Sequence, residues 1–356
     1  MMKKVNNKFL MALIYISASV LMVSCAGGGK PGKHHKSILT PSASGNPYEV
    51  MVVAEDNVWE GKCGRTLLDV LETPVPMLPQ DEPTFHVSHI TSANYNRVTH
   101  LFRNIIILQQ NDHYTKPKMS VERNVFAEPQ LIMTIQGPDL KELTEYVASS
   151  GKLIIQYISA EELNRYATDL EDKYNKPFYD KVKEMFGCEM HIPADIKKMK
   201  VGEDFIWASN DGLTTVQSIC IYSYPYVSAK VFSKHSYIAI RDMFMKANIP
   251  GELDNQWMET NPDYVQLKDI NSQGMYIQEA RGLWQMKDDA MGGPFVAHSA
   301  VDTINGRIVV VEAFVYAPHK MKRSIIRRLE AALYTLRLPD ALAAEQQENN
   351  KSETKE

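Results

Sequence analysis

Apolar, β-branched runs recur along the chain from residue 48 onward, and their length and spacing predict strands. Residues 48–54 read YEVMVVA, residues 84–90 alternate, and 104–109 (NIIILQ), 130–135 and 153–158 are continuous apolar runs of the buried-strand kind. Helical spacing lies between them. Residues 64–71 put Leu67, Leu68 and Leu71 on one face, and 139–149 do the same with Leu140, Leu143, Tyr146 and Val147, with Pro138 at the start and Gly151 past the end. Residues 161–186 differ: Tyr166, Leu170, Tyr174, Phe178 and Val182 recur at four-residue steps among many charges. That pattern predicts an amphipathic helical hairpin linking two globular halves, with Pro177 either beginning a second helix or kinking the first.

Strand patterns return at 204–209, 215–224, 264–268, 275–279 and 283–286. Residues 295–304 and 307–316 then flank Asn305-Gly306, the dipeptide of a hairpin whose two central positions both take positive φ. Pro318 opens a helix that should reach Leu338, with Ile325, Leu329, Ala332, Leu333 and Leu336 inward and Arg323, Arg327 and Arg328 on or beside its wet face. An internal echo links the halves at an offset of roughly 175–180 residues. Helix, Thr-Pro-Val-Pro, acidic turn and strand over 64–90 are answered by helix, Asn-Ile-Pro-Gly, acidic turn and strand over 237–267. The expected class is α+β: antiparallel sheets packed with helices, read as two diverged copies of one unit joined by a helical segment.

The first 24 residues are built differently. Lys3, Lys4 and Lys8 bracket the approach to an apolar run, FLMALIYISASVLMV, over 9–23, and no acidic residue precedes Cys25. At about 15 residues the run matches the core of a secretory signal and falls short of the roughly 20 that a helix needs to cross a bilayer. It ends on Leu21-Met22-Val23-Ser24-Cys25-Ala26-Gly27, which resembles a bacterial lipobox: apolar positions, a small residue, then the cysteine whose thiol accepts a diacylglyceryl group. Several acyl chains, at about 0.8 kcal/mol per buried CH₂, make such an anchor effectively permanent. Ala26 is not the aspartate that retains lipoproteins in the inner membrane of many Gram-negative bacteria, so the outer membrane is favoured. The following Gly-Gly-Gly-Lys-Pro-Gly-Lys lacks an acidic export cluster, which favours the periplasmic face. The expected order is signal peptide 1–24, lipidated flexible tether 25–47, first α+β unit 48–160, helical connector 161–200, second α+β unit 201–338 and disordered tail 339–356.

Composition narrows the function classes. The 356 residues carry 39 Lys and Arg against 43 Asp and Glu; losing the three signal lysines leaves 36 basic residues. An acidic body offers nucleic acid no phosphate-binding surface, and lipid rather than charge must hold it at a membrane. With Cys25 acylated, Cys63, Cys188 and Cys220 remain, none in a Cys-x-x-Cys pair, so at most one disulfide can form and redox catalysis has no support. Cys220 lies in an apolar strand. His34-His35 in the tether offer too few ligands for a metal. His86-Val-Ser-His89 and Cys188-Glu-Met-His191 have three-residue spacing, but in extended chain such positions point to opposite faces, so no metal site is expected. Neither a Gly-x-Ser-x-Gly elbow nor a Walker loop occurs in the body, and no cofactor is expected.

One stretch is unusual. Arg281-Gly282-Leu283-Trp284, Lys287-Asp288-Asp289 and Met291-Gly292-Gly293-Pro294-Phe295 fall within 15 positions. As a ligand or partner surface, the Gly292-Gly293 loop would admit a close approach, with Trp284 as platform, Arg281 as anion clamp, and Asp288 and Asp289 beside them. As structure, the same residues are a bulged strand and a connection, with Trp284 in the core. Together with the lipobox and Val315-Tyr-Ala-Pro318 before a basic helix, this stretch resembles domain of unknown function family 4837, Bacteroidota-type lipoproteins. The resemblance covers residues 45–338; it implies the same address and architecture and assigns no activity. Two functions are then in view. The first is a non-catalytic binding or assembly module for an envelope protein, peptide or glycan. The alternative is an envelope hydrolase whose site is assembled from separated residues, with Asp288, Asp289 and His298 the first suspects; a purely structural role is the third reading.

Overall fold

The computed structural model describes residues 40–272 and 274–344; the signal sequence, Cys25, His34-His35 and the last residues of the tail lie outside these. In chain order the elements are β1 (Glu49–Val53), α1 (Asp56–Trp59), α2 (Lys62–Leu71), β2 (His86–Ile90), β3 (Asn104–Gln110), β4 (Lys118–Arg123), β5 (Leu131–Gly137), α3 (Leu140–Asp172) and α4 (Lys176–Phe186). There follow β6 (Lys198–Gly202), β7 (Phe205–Ser209), β8 (Val216–Pro225), α5 (Lys234–Asn248), β9 (Met258–Ser272), β10 (Met275–Met286), β11 (Gly292–Asp302), β12 (Arg307–Tyr316) and α6 (Arg323–Leu333).

Strands β1–β5 form one sheet in the order β2-β1-β3-β5-β4. Within it β1 runs parallel to β2 and β3, β3 runs parallel to β5, and β4 pairs antiparallel with β5. Parallel strands buried on both faces read as unbroken apolar runs, which explains NIIIL. Val50, Val52, Ile106 and Met133 meet α2 and α3, while Met51, Val53, Ile105 and Ile132 pack on the opposite side. Strands β6–β12 form a seven-stranded antiparallel sheet in the order β6-β7-β8-β12-β11-β10-β9. One face carries Ile206, Ile221, Val296 and Val311 against α4 and α6; the other carries Tyr222, Ala280, Phe295 and Val310 against α5. The α+β class therefore stands, with one mixed and one antiparallel sheet. The echo between the halves does not extend to topology, because the two sheets share neither strand number nor strand order.

The run at 153–158 is helix, not strand. It lies inside α3, whose 33 residues extend about 50 Å at 1.5 Å per residue. Buried positions Leu143, Val147, Gly151, Ile154, Ile158, Glu162 and Arg165 keep a three-or-four spacing straight through the β-branched stretch, so one continuous helical face overrides local strand preference. Asp139 caps its start by accepting the Glu142 N–H. Gly151 is not the helix stop. A Cβ there would sit 2.9 Å from Val70 Cγ2, so the glycine lets α2 lie close against α3. The predicted boundary at 160/161 thus falls mid-helix, and the connector is not separate: α3 packs on the first sheet through Ile154 and Ile158 and reaches the core under the second through Leu170. The second arm of the hairpin is as expected, with Pro177 in the first turn of α4.

Other boundaries shift for identifiable reasons. Residues 41–44, expected in the tether, are tied to the body, because Ala43 N–H donates to Glu128 O and Arg103 N–H to Ser44 O. The strands at 275–279 and 283–286 are one strand, β10, with a bulge between Gly282 and Trp284. Residues 305–306 do sit in a hairpin, but its loop spans 303–306, with Asp302 opposite Arg307 and a positive φ of 62° at Gly306 while Asn305 keeps a negative one. The last helix begins at Arg323, not Pro318. Two of its arginines are not on a wet face: Arg323 and Arg327 are buried, whereas Arg328 is half-buried and pairs with the exposed Asp195. Residues 339–344, expected in the tail, are helical.

Candidate functional site

The Gly-Trp-acid stretch folds as the β10–β11 hairpin, and strand alternation divides its residues between two faces. Ile277, Glu279 and Arg281 face α6, whereas Ala280 and, beyond the bulge, Trp284 and Met286 face the α5 side. Arg281 and Trp284 therefore do not share a concavity. Of the two readings of Trp284, the structure has the core side chain and not the platform: it is 3% exposed, with its Nε1–H donating to Val315 O at 3.3 Å. Gly292 and Gly293 are strand residues opposite Gln285 and Trp284, not an open loop. A Cβ on Gly293 would lie 1.9 Å from Val315 O, so glycine here serves the approach of β12. Asp288 and Asp289 are exposed in the turn. Asp288 sits at φ 56° and accepts from Asn255 at 3.2 Å, and Asp289 accepts the Met291 N–H at 3.1 Å.

On the α6 side, Arg281 donates Nε–H and Nη2–H to the two oxygens of Glu279, both at 2.9 Å, and also bonds both oxygens of Glu330. Glu330 in turn accepts from Arg327 Nη1 at 3.0 and 3.2 Å. Burial works against all these charges. It pushes Glu279 up, but the His298 imidazole and the Arg281 guanidinium outweigh it and hold the carboxyl well below its usual range. Burial likewise opposes ionisation of Glu330, and Arg281 and Arg327 overcome it. Arg281 is held charged by its two glutamates. The anion clamp anticipated at Arg281 is therefore already occupied by this chain's own carboxylates.

His298 is fully buried on β11, its Nε2 3.7 Å from Glu279 Oε2 and its ring edge against Tyr334, 4.7 Å between centroids. Asp288 and Asp289 do not join it. His298 lies six residue steps along β11 from Gly292 at the turn end of the strand, roughly 20 Å at strand rise. The first-suspect triad of the hydrolase reading thus does not converge. His86 and His89 fare similarly: on β2 one is exposed and the other bonds Ala54 O at 2.9 Å and stacks on Trp59. Cys63, Cys188 and Cys220 are each buried as free thiols.

Two concavities flank the sheet. On the α5 side, a pocket of about 390 Å³ is lined by Trp207, Trp284, Met258, Met286, Phe314 and Tyr316, with Met291 and Ile249 beside them. Trp284 stands edge-on to Phe314 at 5.9 Å, and Trp207 stacks on Phe314 at 6.5 Å. Lys198, Asp211, Glu252 and Asp289 also border it. On the α6 side a larger cleft, about 630 Å³, lies between α3, the 73–84 loop, β9, β10 and α6, and holds the Glu279–Arg281–Glu330–Arg327 chain. Sequence reasoning missed Glu279 and Glu330 and set Arg327 on or beside a wet face. Glu279 stands two residues from Arg281, on the same strand face, and Arg327 and Glu330 are one helical turn apart; those local spacings were legible, but the meeting of strand and helix was not.

Comparison with known proteins divides the chain at the end of α3. Residues 175–335 match the family model for Domain of unknown function (DUF4837), and residues 43–171 match another, Domain of unknown function (DUF8532). The family expected over 45–338 thus covers the second half alone. A search among curated proteins finds no significant match. Solved structures similar to this chain include the Ran-binding protein Mog1p of Saccharomyces cerevisiae, at 12% identity and TM-score 0.27, covering 43% of this chain and 90% of that one. Another is a protein of Bacteroides thetaiotaomicron, at 15% identity and TM-score 0.23, covering 42% of this chain and 44% of that one. The chain accordingly carries a DUF4837 domain over 175–335, preceded by a match to the DUF8532 model over 43–171.

Proposed function

We propose that this chain is a lipid-anchored, non-catalytic binding or assembly module of the cell envelope. It is tied through Cys25 to the periplasmic face of the outer membrane and takes an apolar side chain of an envelope protein or peptide into the pocket beside Trp284. The aromatic and methionine lining of that pocket carries the reading. Its volume of about 390 Å³ is in the range of ligand sites, its tryptophans are rigid contact surfaces, and its methionines can repack around an irregular guest. The lipobox supports the address, since an acylated Cys25 would keep the pocket close to membrane-bound partners. The distance between His298 and the Asp288–Asp289 turn weighs against the hydrolase alternative.

The test is cross-linking and capture from detergent-solubilised envelope with the acylated chain and with Met291→Arg, which places a charge at the pocket. One partner recovered by the unaltered chain and lost with the variant, at a melting temperature within about 2 °C, is the expected result. Identical recoveries from both, or no reproducible partner, count against the reading. Mass spectrometry of the N-terminal peptide tests the address separately: an unmodified Cys25 refutes it.

A further inference from the structure

The cleft on the α6 side contains more polar capacity than the chain itself satisfies. Its lining includes four basic side chains, Lys152, Lys268, Arg281 and Arg327, against two acidic ones, Glu279 and Glu330. The arginines and glutamates neutralise one another through the bonds already described, so the uncompensated charge is that of Lys152 on α3 and Lys268 on β9. Both are exposed, and neither has an ion-pair partner among the described residues. Two lining side chains that are more than nine-tenths buried have unused donors: Ser159 Oγ and Arg327 Nε form no hydrogen bond. A hydroxyl on a helix commonly bonds the carbonyl one turn back, and a buried donor left open weakens the fold unless something occupies the space. Gln156, Gln266 and Thr84 add further hydrogen-bonding groups to the walls.

We infer that this cleft is a second binding site, distinct from the pocket beside Trp284, and that it takes a polar small molecule bearing carboxylates. The charge argument sets the sign of the ligand. The placement sets its form: Lys152 and Lys268 stand on different walls, which suits negative charge spread along a molecule rather than concentrated on one dianionic group. Glu279 and Glu330 between them strengthen that preference, because they repel a dianion more than separated monoanions. Arg327, with Nη1 spent on Glu330, keeps an unpartnered Nε–H at the cleft wall, and Ser159 Oγ is a second such donor. A cleft of about 630 Å³ accommodates a disaccharide or dipeptide.

The experiment is calorimetric titration of the full chain in uncharged detergent with digalacturonate, with alanyl-glutamate, with the dimethyl ester of digalacturonate and with inorganic phosphate. Binding of one carboxylate probe and not the ester supports the site, and which of the two binds says whether the carboxylate comes from a sugar or a peptide. Lys152→Gln together with Lys268→Gln should weaken that binding about tenfold and flatten its salt dependence; both positions are exposed, so the melting temperature serves as the control on folding. Ser159→Ala should weaken it by about threefold. No carboxylate binding at millimolar concentration, equal binding of the ester, tighter binding of phosphate, or indifference to the double lysine variant each overturns the inference. Met291→Arg should leave it untouched, so its failure and that of the pocket reading are separable.

Discussion

Glu82 offers the sharpest test of how the two sheets are joined. It lies in the loop between α2 and β2, is 1% exposed, and accepts the Lys322 N–H at 2.6 Å and the Arg323 N–H at 2.8 Å. These are first-turn donors of α6, a helix whose own N-cap residue supplies no side-chain cap. A carboxylate from the first half thus terminates a helix of the second, and Arg323 returns a bond to Pro83 O at 2.6 Å. Glu82→Gln keeps the shape, removes the charge, and turns one acceptor into an amide donor facing a backbone donor. Hydrogen bonds to a charged group contribute about 1.5–3 kcal/mol each, and a charge at a sheltered helix N-terminus up to about 2 kcal/mol. Because the contributions overlap, the expected loss is about 2–4 kcal/mol. Urea denaturation, followed by far-ultraviolet circular dichroism and by tryptophan emission, should show a lower midpoint by both probes at unchanged slope. A variant within about 0.5 kcal/mol of the parent would refute the reasoning, as would a loss confined to the tryptophan signal, since all four tryptophans would then be reporting a purely local event.

Other outcomes follow from the same geometry. Glu279 and Glu330 are held below the usual carboxylate range, so their contribution to stability is complete above the unfolded value of 4.5 and is lost as pH falls toward the folded one. The melting temperature should therefore decline as pH drops below 4.5, and Glu330→Gln should make that decline shallower; an unchanged slope contradicts the assignment. Burial pushes the Cys188 thiol up to about 12 and raises those of Cys63 and Cys220, so a disulfide reagent at neutral pH should leave the native chain unlabelled. Unfolding should then release three thiols if Cys25 is acylated and four if it is free. Gly293→Ala should cost about 1–3 kcal/mol by forcing β11 and β12 apart, and should shift tryptophan emission by straining the Trp284–Val315 bond. A variant of parental stability would show that the strands yield freely at that point.

What could be read from the chain was what repeats locally. The parallel strands announced themselves as unbroken apolar runs because both their faces are covered, and Pro177 marked the start of α4 because its missing N–H costs nothing there. The edge strands β4 and β6 escaped notice because KMSVER and KMKVG are mostly exposed and charged, which is how an unpaired edge is kept from recruiting partners. Residues 153–158 misled because four β-branched or aromatic residues outweigh the helical period only when the flanking turns are ignored. The arginines of α6 looked solvated because helix periodicity knows one buried face, whereas α6 is covered by the second sheet on one side and by α3 and the Glu82 loop on the other. For the same reason the fourfold charge chain through Arg281 was illegible: each member's spacing is local, but its partners come from strand and helix nearly fifty residues apart.

The unbroken run of α3 has a consequence for any attempt to split this protein. A cut at residue 174 respects the two family blocks, yet it removes Leu170 from the hydrophobic layer beneath the antiparallel sheet and takes away one whole wall of the carboxylate cleft. Each fragment would expose a bare apolar stripe in water, so co-expressed pieces should reassociate or precipitate rather than persist as independent domains. A single stiff rod through both halves also leaves no hinge along its length, which fixes the span between Lys152 and the β9 strand before any guest arrives.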